Sequence, residues 1–234
     1  MLKVRKSQDR GLTQMGWLHS RHSFSFGDYM DEDHIHFRSL RVINEDIVQP
    51  GQGFPSHPHR NMEIITYVLS GALEHRDSMG TLSTLRAGDI QRMSAGTGVV
   101  HSEYNPSLEE PSHFLQIWII PSAPGGDPSY LQKSYVSANR NELERLLVAS
   151  KDGRQGSLSI KQDVDLYLQH WTAKLKHEFT LRAGRGAWIQ MVSGRLSVTN
   201  RVGQQVGNVE TAETVEISAG DGVSVEAGLR EELI

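Results

Sequence analysis

The sequence contains no cysteine, which excludes disulfide bonds, thiolate metal ligands and cysteine nucleophiles. No stretch approaches the roughly 18 consecutive apolar residues of a transmembrane helix, and residues 1–10 lack the apolar core of a signal peptide. An excess of either charge is also missing, because 24 Lys and Arg face 28 Asp and Glu and leave a net charge of −4. We therefore expect a cytoplasmic protein with no membrane partner and no direct contact with nucleic acid.

Short apolar segments rich in β-branched and aromatic residues recur along the 234 residues, and each is bounded by Gly, Pro, Asp or Asn. Turn residues recur about every 8–12 positions, which predicts an all-β fold of the sandwich or barrel type. A single short helix is predicted near residues 141–148, behind an Asn cap. Residues 121–129 are dense in Pro and Gly, so a linker is predicted there.

A short internal repeat predicts two β-domains. Ser-Gly followed by Ala-Gly-Asp occurs at 70–71 and 87–89, and again at 193–194 and 219–221. The expected division is an N-terminal domain over 1–121, a linker over 122–140 and a C-terminal domain over 141–234. Only 13 residues follow Asp221, far fewer than follow the first Ala-Gly-Asp, so the second domain is expected to lack its last strand.

Histidine is concentrated in the first half of the chain, with nine of the 11 residues before position 114. His57 and His59 flank Pro58, which excludes a helix and predicts an extended segment. In an extended chain, residues two apart lie on the same face, about 6–7 Å from each other. Both imidazoles can therefore reach one metal ion at about 2.1 Å.

A second pair of candidate ligands, His101 and Glu103, has the same spacing and follows a glycine-rich turn. If the two segments pair as strands, His57, His59, His101 and Glu103 converge on one ion. Three imidazoles and a carboxylate leave one or two coordination positions open, which is typical of a catalytic site. We expect one divalent transition-metal ion, and these ligands accept Fe, Ni, Co, Cu, Mn and Zn.

These motifs resemble those of known families. Gly51-x₅-His57-x-His59-x₃-Glu63-x₇-Gly71 resembles the first cupin motif, and Gly88-Asp89 with Gly96-x-Gly98-x₂-His101-x₃-Asn105 resembles the second. Residues 17–31, 40–44, 57–63 and 101–103 together resemble the pirin family more closely. The resemblance implies two cupin-type β-barrels, or a bicupin, in which the N-terminal barrel binds iron and the C-terminal barrel binds no metal.

The resemblance also implies that His57, His59, His101 and Glu103 are the metal ligands, since all four positions match. Glu63 is an alternative because many cupins use a glutamate of the first motif. Four strand residues separate it from His59 by about 13 Å, which favours a structural role for Glu63. In the second half, residues 179–184 carry no ligand where the repeat would place one.

Among the remaining histidines, His34 and His36 are expected in a solvated loop beside three acidic residues. The others before position 114 are expected at the surface or in hydrogen-bonded interior positions: His19, His22, His75 and His113.

The resemblance to the pirin family implies the leading functional prediction, a metal-dependent dioxygenase, with Fe(II) as the first expected ion, that opens the ring of a flavonol such as quercetin with O₂. Its partners would be a flavonol-like aromatic substrate and O₂, and Glu103 would be the catalytic base that accepts the substrate's hydroxyl proton. The alternative is an iron- or redox-responsive binding protein that regulates a transcription factor or an enzyme through protein contact. A cupin isomerase acting on a sugar or polyketide, without consuming O₂, is a third hypothesis.

Overall fold

Antiparallel β-sheet makes up most of the regular structure in the computed structural model, which describes residues 1–135, 145–170, 176–202 and 211–226. Helical structure in these ranges is limited to single 3₁₀ turns at Ser7–Asp9, Glu32–His34 and Arg154–Gly156. None of the helices described is long and apolar enough to span a membrane. The strands within the described ranges are, in chain order, β1 (Leu2–Arg5), β2 (Gly11–Gln14), β3 (Leu18–His22), β4 (Leu40–Val48), β5 (Gly53–His59), β6 (Glu63–Ser70), β7 (Ala72–Asp77), β8 (Leu82–Arg86), β9 (Asp89–Ser94), β10 (Val99–Tyr104), β11 (Ser112–Ile119), β12 (Ser129–Ser134), β13 (Leu146–Ser150), β14 (Leu158–Ser159), β15 (Leu166–Leu168), β16 (Gly186–Gln190), β17 (Arg195–Val202), β18 (Thr211–Ser218) and β19 (Gly222–Glu226).

The prediction of a helix near 141–148 is wrong for the residues of this range that the structure describes. Residues 146–148 begin strand β13, which pairs antiparallel with β15 and parallel with β14. Leu147, Val148 and Ala149 are all buried, so this apolar run is a strand covered on both faces. The remainder of the predicted helix, 141–144, lies outside the described residues.

The larger of two compact units, Leu12–Lys176, contains two main sheets. The first has the strand order β12-β9-β6-β11-β4-β3-β2, and the second has the order β5-β10-β7-β8. A cluster of buried side chains joins the two sheets, because its members come from β7 and β8 of the small sheet and from four strands of the large sheet: Leu18, Val48, Val68, Leu73, Leu85 and Phe114. This apolar cluster holds the sheets face to face.

The strands of the small sheet alternate between buried and exposed residues. In β10, Val99, His101 and Glu103 are buried, whereas Val100 and Tyr104 are exposed. Successive strand residues point to opposite faces, so the buried set of β10 points inward between the sheets. The interior of this unit is therefore apolar at Leu73 and Phe114 but polar where β10 carries His101 and Glu103.

The smaller compact unit consists of Met1–Gly11 and the chain from His177 onwards. Its sheet has the order β1-β19-β16, and β17 and β18 form a hairpin. Its buried core contains Leu2, Ile217, Val223 and Val225. Asp221 ties the N-terminal segment to this core, because it accepts hydrogen bonds from the Ser7 backbone amide at 2.7 Å and from Lys6 Nζ at 3.0 Å.

The expected division into 1–121, 122–140 and 141–234 has other bounds than these two units and stays a prediction. The expected linker contains strand β12, which pairs along its whole length with β9. Strand β1, in contrast, pairs with β19 instead of joining the strands that follow it. Strand β19 has neighbours on both sides, and residues 227–234 lie outside the described part of the chain, so a missing last strand stays a prediction.

Candidate metal centre

Strands β5 and β10 form an antiparallel pair, which is the condition for the expected ligands to converge. His101 on β10 lies directly opposite His57 on β5, and Val99 lies opposite His59. Because Pro58 keeps its neighbours extended, His57 and His59 share one face of β5. The pairing therefore brings three imidazoles from two distant parts of the sequence to one place.

The three imidazole rings of His57, His59 and His101 form a compact triangle. Their centroids are separated by 4.8 Å between His57 and His59, 4.5 Å between His57 and His101, and 4.9 Å between His59 and His101. One nitrogen of each ring can be chosen so that all three lie within 4.8 Å of one another. We call this set the histidine triangle.

In His57 a hydrogen bond fixes which ring nitrogen keeps its lone pair, and in His101 one ring nitrogen has no hydrogen-bond partner among the described residues. The Nδ1 of His57 lies 2.7 Å from the Pro55 carbonyl oxygen, which only accepts, so Nδ1 carries the hydrogen and Nε2 keeps a lone pair. The Nε2 of His101 is buried and has no hydrogen-bond partner among the described residues. A buried polar atom without a partner is costly, and a bound ion would satisfy it.

His59 and His101 are held neutral, which is the form of histidine that binds a metal ion. Burial, with repulsion from His101 and His57, lowers the pKa of His59 to about 4. Burial, with repulsion from His57 and His75, lowers the pKa of His101 to about 3. Three imidazoles, one of which has a buried nitrogen with no partner among the described residues, fit a divalent transition-metal ion.

The structure places Glu103 deeper than the histidine triangle. Its Oε1 accepts a hydrogen bond from Gln91 Nε2 at 2.7 Å, and its Oε2 accepts one from Gln116 Nε2 at 2.5 Å. The Thr66 hydroxyl lies 3.3 Å from Oε1. Glu103 forms a second group of possible ligands with His75 and His101, again with ligand atoms within 4.8 Å of one another. His101 thus belongs to both groups, whereas Glu103 belongs to the inner one.

The close approach of β5 to β10 at Glu103 depends on Gly53. The register between the strands shifts between His101 and Glu103, so that Phe54 faces Glu103 and Gly53 faces Tyr104. A Cβ atom on Gly53 would overlap the carbonyl oxygen of Glu103 and the Cα of Tyr104. A larger residue would therefore push the two strands apart.

Glu63, the alternative ligand, belongs to neither group. Its carboxylate is buried, and Oε2 accepts hydrogen bonds from Ser94 Oγ at 2.8 Å and from the Lys161 backbone amide at 3.2 Å. Glu63 therefore fastens the segment around Lys161 to strand β6. This is the structural role that the strand spacing favours.

The other histidines of the first half have ordinary partners. His34 contacts Asp31 at 2.9 Å, His36 contacts the Arg38 carbonyl at 2.9 Å, and His113 contacts Glu45 at 3.0 Å. His22 is buried between Thr13 and Asn44, at 2.8 and 2.9 Å. None of these four is in either group of possible ligands found among the described residues.

His75 and Asp77 are site residues that the sequence reasoning missed. Strand β7 pairs with β10 so that Asp77 faces His101 and His75 faces Glu103. The spacing of His75 and Asp77 repeats the two-residue spacing of His57 with His59 and of His101 with Glu103. That repetition was the available signal, but its significance depends on the pairing of β7 with β10.

An open pocket lies beside His59. It has a volume of about 390 Å³, and His59, Arg60, Val99 and Val100 are among the residues that line it. Of the histidine triangle, His59 lines this pocket, whereas His57 and His101 do not.

The comparisons with known proteins agree with this architecture. A family model described as "Pirin" matches residues 3–119, and one described as "Quercetinase C-terminal cupin domain" matches residues 147–229. A protein of Escherichia coli K12 named quercetin 2,3-dioxygenase is 47% identical over 201 residues, which cover 85% of this chain and 84% of that protein.

Solved structures are similar over nearly the whole chain. The crystal structure of YhhW from Escherichia coli has a TM-score of 0.75 and 40% identity, covering 98% of this chain and 90% of that one. The structure of the bacterial pirin YhhW from Escherichia coli in complex with nickel(II) has a TM-score of 0.74 and 39% identity, covering 97% and 91%.

The fold and the matched models define an all-β protein with two cupin domains, as the sequence predicts. The chain belongs to the pirin family. Both groups of possible metal ligands that the described residues contain lie in its N-terminal half, between His57 and Glu103.

Proposed function

We propose that this protein is a metal-dependent dioxygenase that opens the ring of a flavonol such as quercetin with O₂. The observation that carries the proposal is the histidine triangle, in which the buried Nε2 of His101 has no hydrogen-bond partner within the described ranges. The relative named quercetin 2,3-dioxygenase, 47% identical over 201 residues, supports the choice of reaction.

His57, His59 and His101 would hold the ion through ring nitrogens, with Glu103 as the fourth ligand or beside the ion. A bound divalent metal supplies Lewis acidity for the substrate oxygen and an open position for O₂. We propose Fe(II) for this chain. The ligand set also accepts Ni, Co, Cu, Mn or Zn, and the related YhhW structure in complex with nickel(II) supports testing Ni(II) alongside Fe(II).

Glu103 is suited to accept the proton of the flavonol 3-hydroxyl group. A carboxylate has about four acceptor positions, and the amides of Gln91 and Gln116 occupy two of them. Thr66 lies near a third, which leaves at least one acceptor position for the substrate proton. The two amide donors also fix the orientation of the Glu103 carboxylate.

The substrate would enter through the pocket beside His59. Its lining includes Val99 and Val100, which suit a flat aromatic ring, and Arg60, whose cation suits phenolic oxygens. The reaction consumes one flavonol and one O₂ and yields one ring-opened ester and one carbon monoxide. Both oxygen atoms of O₂ remain in the ester, and no external reductant is needed.

The test is an assay of quercetin consumption by the full chain reconstituted with Fe(II) or with Ni(II) under air. We expect the flavonol absorbance to fall in step with O₂ uptake, and His101→Ala to abolish both. His113→Ala is the matched control, because His113 pairs with Glu45 away from the triangle. Equal rates for wild type and His101→Ala would overturn the proposal. A wild type that binds metal and leaves quercetin intact would favour the regulatory alternative.

A further inference from the structure

His75 and Asp77 form a buried pair directly behind His101. Both side chains are fully shielded from solvent, and both project inward from β7. Asp77 faces His101 in the pairing of β7 with β10. The ring of His75 stacks on Tyr130, with centroids 4.7 Å apart, so its orientation is fixed by packing as well as by hydrogen bonds.

The carboxylate of Asp77 determines which nitrogen of His75 carries the hydrogen. Asp77 Oδ2 lies 3.0 Å from His75 Nε2. Burial acts against the charged form, but hydrogen bonds from His75 and Thr81 outweigh it and lower the pKa of Asp77. An ionised carboxylate only accepts hydrogen bonds, so His75 Nε2 is the donor. The Nδ1 of a neutral His75 is then an acceptor with a lone pair.

The lone pair on His75 Nδ1 in turn determines which nitrogen of His101 carries the hydrogen. The two Nδ1 atoms lie 3.4 Å apart, and an acceptor at His75 requires the donor at His101. His101 then carries its hydrogen on Nδ1, and its Nε2 keeps a lone pair. This buried atom has no partner in the part of the chain that the structure describes, and the centroid of its ring lies 4.5 Å from that of His57 and 4.9 Å from that of His59.

We propose that Asp77 and His75 are positioning residues that hold His101 in the Nδ1–H tautomer, so that Nε2 can bind a divalent metal ion. The inference rests on the proposed metal centre, and it assigns a role to two residues outside the histidine triangle. Partners of this kind fix the orientation and basicity of metal-binding histidines. A chain of hydrogen bonds thus runs from Asp77 to His75 and from His75 to His101, and Nε2 of His101 would bind the ion.

The hydrogen bonds of Asp77 suggest a variant that exchanges donor and acceptor at each step of this chain without changing the shape of the side chain. Asp77 Oδ1 accepts hydrogen bonds from the backbone amides of Met79 at 2.9 Å and Thr81 at 3.0 Å. In Asp77→Asn, those backbone amides still donate to the side-chain oxygen, so the NH₂ group takes the position of Oδ2. The NH₂ group then donates to His75 Nε2, His75 donates to His101, and the hydrogen of His101 moves to Nε2.

The first experiment records ¹⁵N NMR spectra of the histidine rings in metal-free full-length protein. We expect wild-type His101 to be the Nδ1–H tautomer and Asp77→Asn to convert it to Nε2–H. Glu45→Gln is the matched control, since it also replaces a carboxylate that contacts a histidine, His113, and it should leave His101 unchanged. A wild-type His101 protonated on Nε2 would overturn the proposal, whatever the metal affinity.

The second experiment titrates the same proteins with Ni(II). We expect Asp77→Asn to weaken binding roughly 10- to 100-fold, the usual cost of losing a partner of a metal-binding histidine. Equal affinities for Asp77→Asn and wild type would overturn the positioning role and leave the metal centre intact. If wild type itself bound no Ni(II), the metal centre would fail, while the tautomer measurement would still decide the orientation of His101.

His75→Phe provides a second variant in case Asp77→Asn disturbs the turn after β7. Phenylalanine keeps the ring that stacks on Tyr130 and removes both nitrogens. We expect a similar loss of Ni(II) affinity, with a thermal unfolding midpoint of the metal-free protein that shows an intact fold. Ni(II) bound between the Nδ1 atoms of His75 and His101 would instead remove the Nδ1–H signal of His101 on loading, and that result would contradict the proposal.

Discussion

His101 of β10 lies directly opposite His57 of β5, and the centroids of their rings are 4.5 Å apart. The two residues are 44 positions apart in the sequence, so only the pairing of these strands brings them together. Because β5 also carries His59 on the same face, one strand pair creates the whole histidine triangle.

Replacing one corner of the triangle should disrupt metal binding. We expect His57→Ala to weaken Ni(II) binding at least about 100-fold, since losing a ligand costs no less than losing a partner of a ligand. Calorimetric titration of the metal-free protein measures this change. His36→Ala is the control because His36 contacts the Arg38 carbonyl at the surface and belongs to neither group of possible ligands among the described residues. An unchanged affinity in His57→Ala would remove His57 from the site.

The amide donors to Glu103 should affect turnover more than metal content. We expect Gln116→Leu to lower kcat for quercetin roughly 10- to 100-fold, because Glu103 loses its 2.5 Å hydrogen bond while the triangle is unchanged. Rate and metal content are measured on the same sample. Gln162→Ala removes two surface hydrogen bonds, one to the Ile120 carbonyl and one from the Asp163 backbone amide, and it should match wild type. A variant at Gln116 with normal kcat would show that Glu103 does not depend on this amide.

Gly53 should tolerate no side chain. We expect Gly53→Ala to destabilise the protein by about 1–3 kcal/mol, because its Cβ overlaps the backbone of Glu103 and Tyr104. Gly16→Ala is the matched control, since no atom lies within 4 Å of a Cβ placed there. Urea unfolding of the two variants measures the difference. Equal stabilities would contradict the close approach of β5 to β10.

A buried carboxyl group on β4 should make stability depend on pH. Burial, partly offset by the hydrogen bond from Ser20, raises the pKa of Asp46 from 3.8 to about 7. The folded state therefore binds a proton more tightly than the unfolded state, and this contribution to stability is lost as pH rises from about 4 to 7. Asp46→Asn has no such proton to lose.

We therefore expect the stability of Asp46→Asn relative to wild type to increase with pH by up to about 1.4 kcal/mol per pH unit below pH 7, and to level off above it. Urea unfolding of the metal-free proteins from about pH 5 to 8 measures this difference. Other titrating groups, including His59 and His101, cancel in the comparison. A difference that stays constant over the range would show that Asp46 is not perturbed.

The sequence predicts the triangle because local spacing carries most of the information. His57 and His59 lie on one face since Pro58 enforces an extended chain, and His101 follows a glycine-rich turn into a strand. The expected fourth ligand, Glu103, lies in the inner group with His75 because the register shifts after His101. Residue spacing alone does not reveal such a shift.

The sequence reasoning fails where partners come from remote strands. Leu147 and Val148 fall at the end of the helix predicted near 141–148, but the pairing of β13 with β15 makes them part of a strand. His75 and Asp77 gain their significance only opposite Glu103 and His101, and that register depends on how β7 and β10 pair. Strand pairing is non-local, so short sequence patterns underdetermine it.

Elemental analysis of the full chain tests the central claim, that His57, His59 and His101 hold a transition-metal ion, most directly. The measurement compares wild type with His101→Ala, each purified without added metal and again after reconstitution with Fe(II). The account predicts one ion per chain in reconstituted wild type and a loss of that ion in His101→Ala. Wild-type protein with no metal above trace after reconstitution would contradict it.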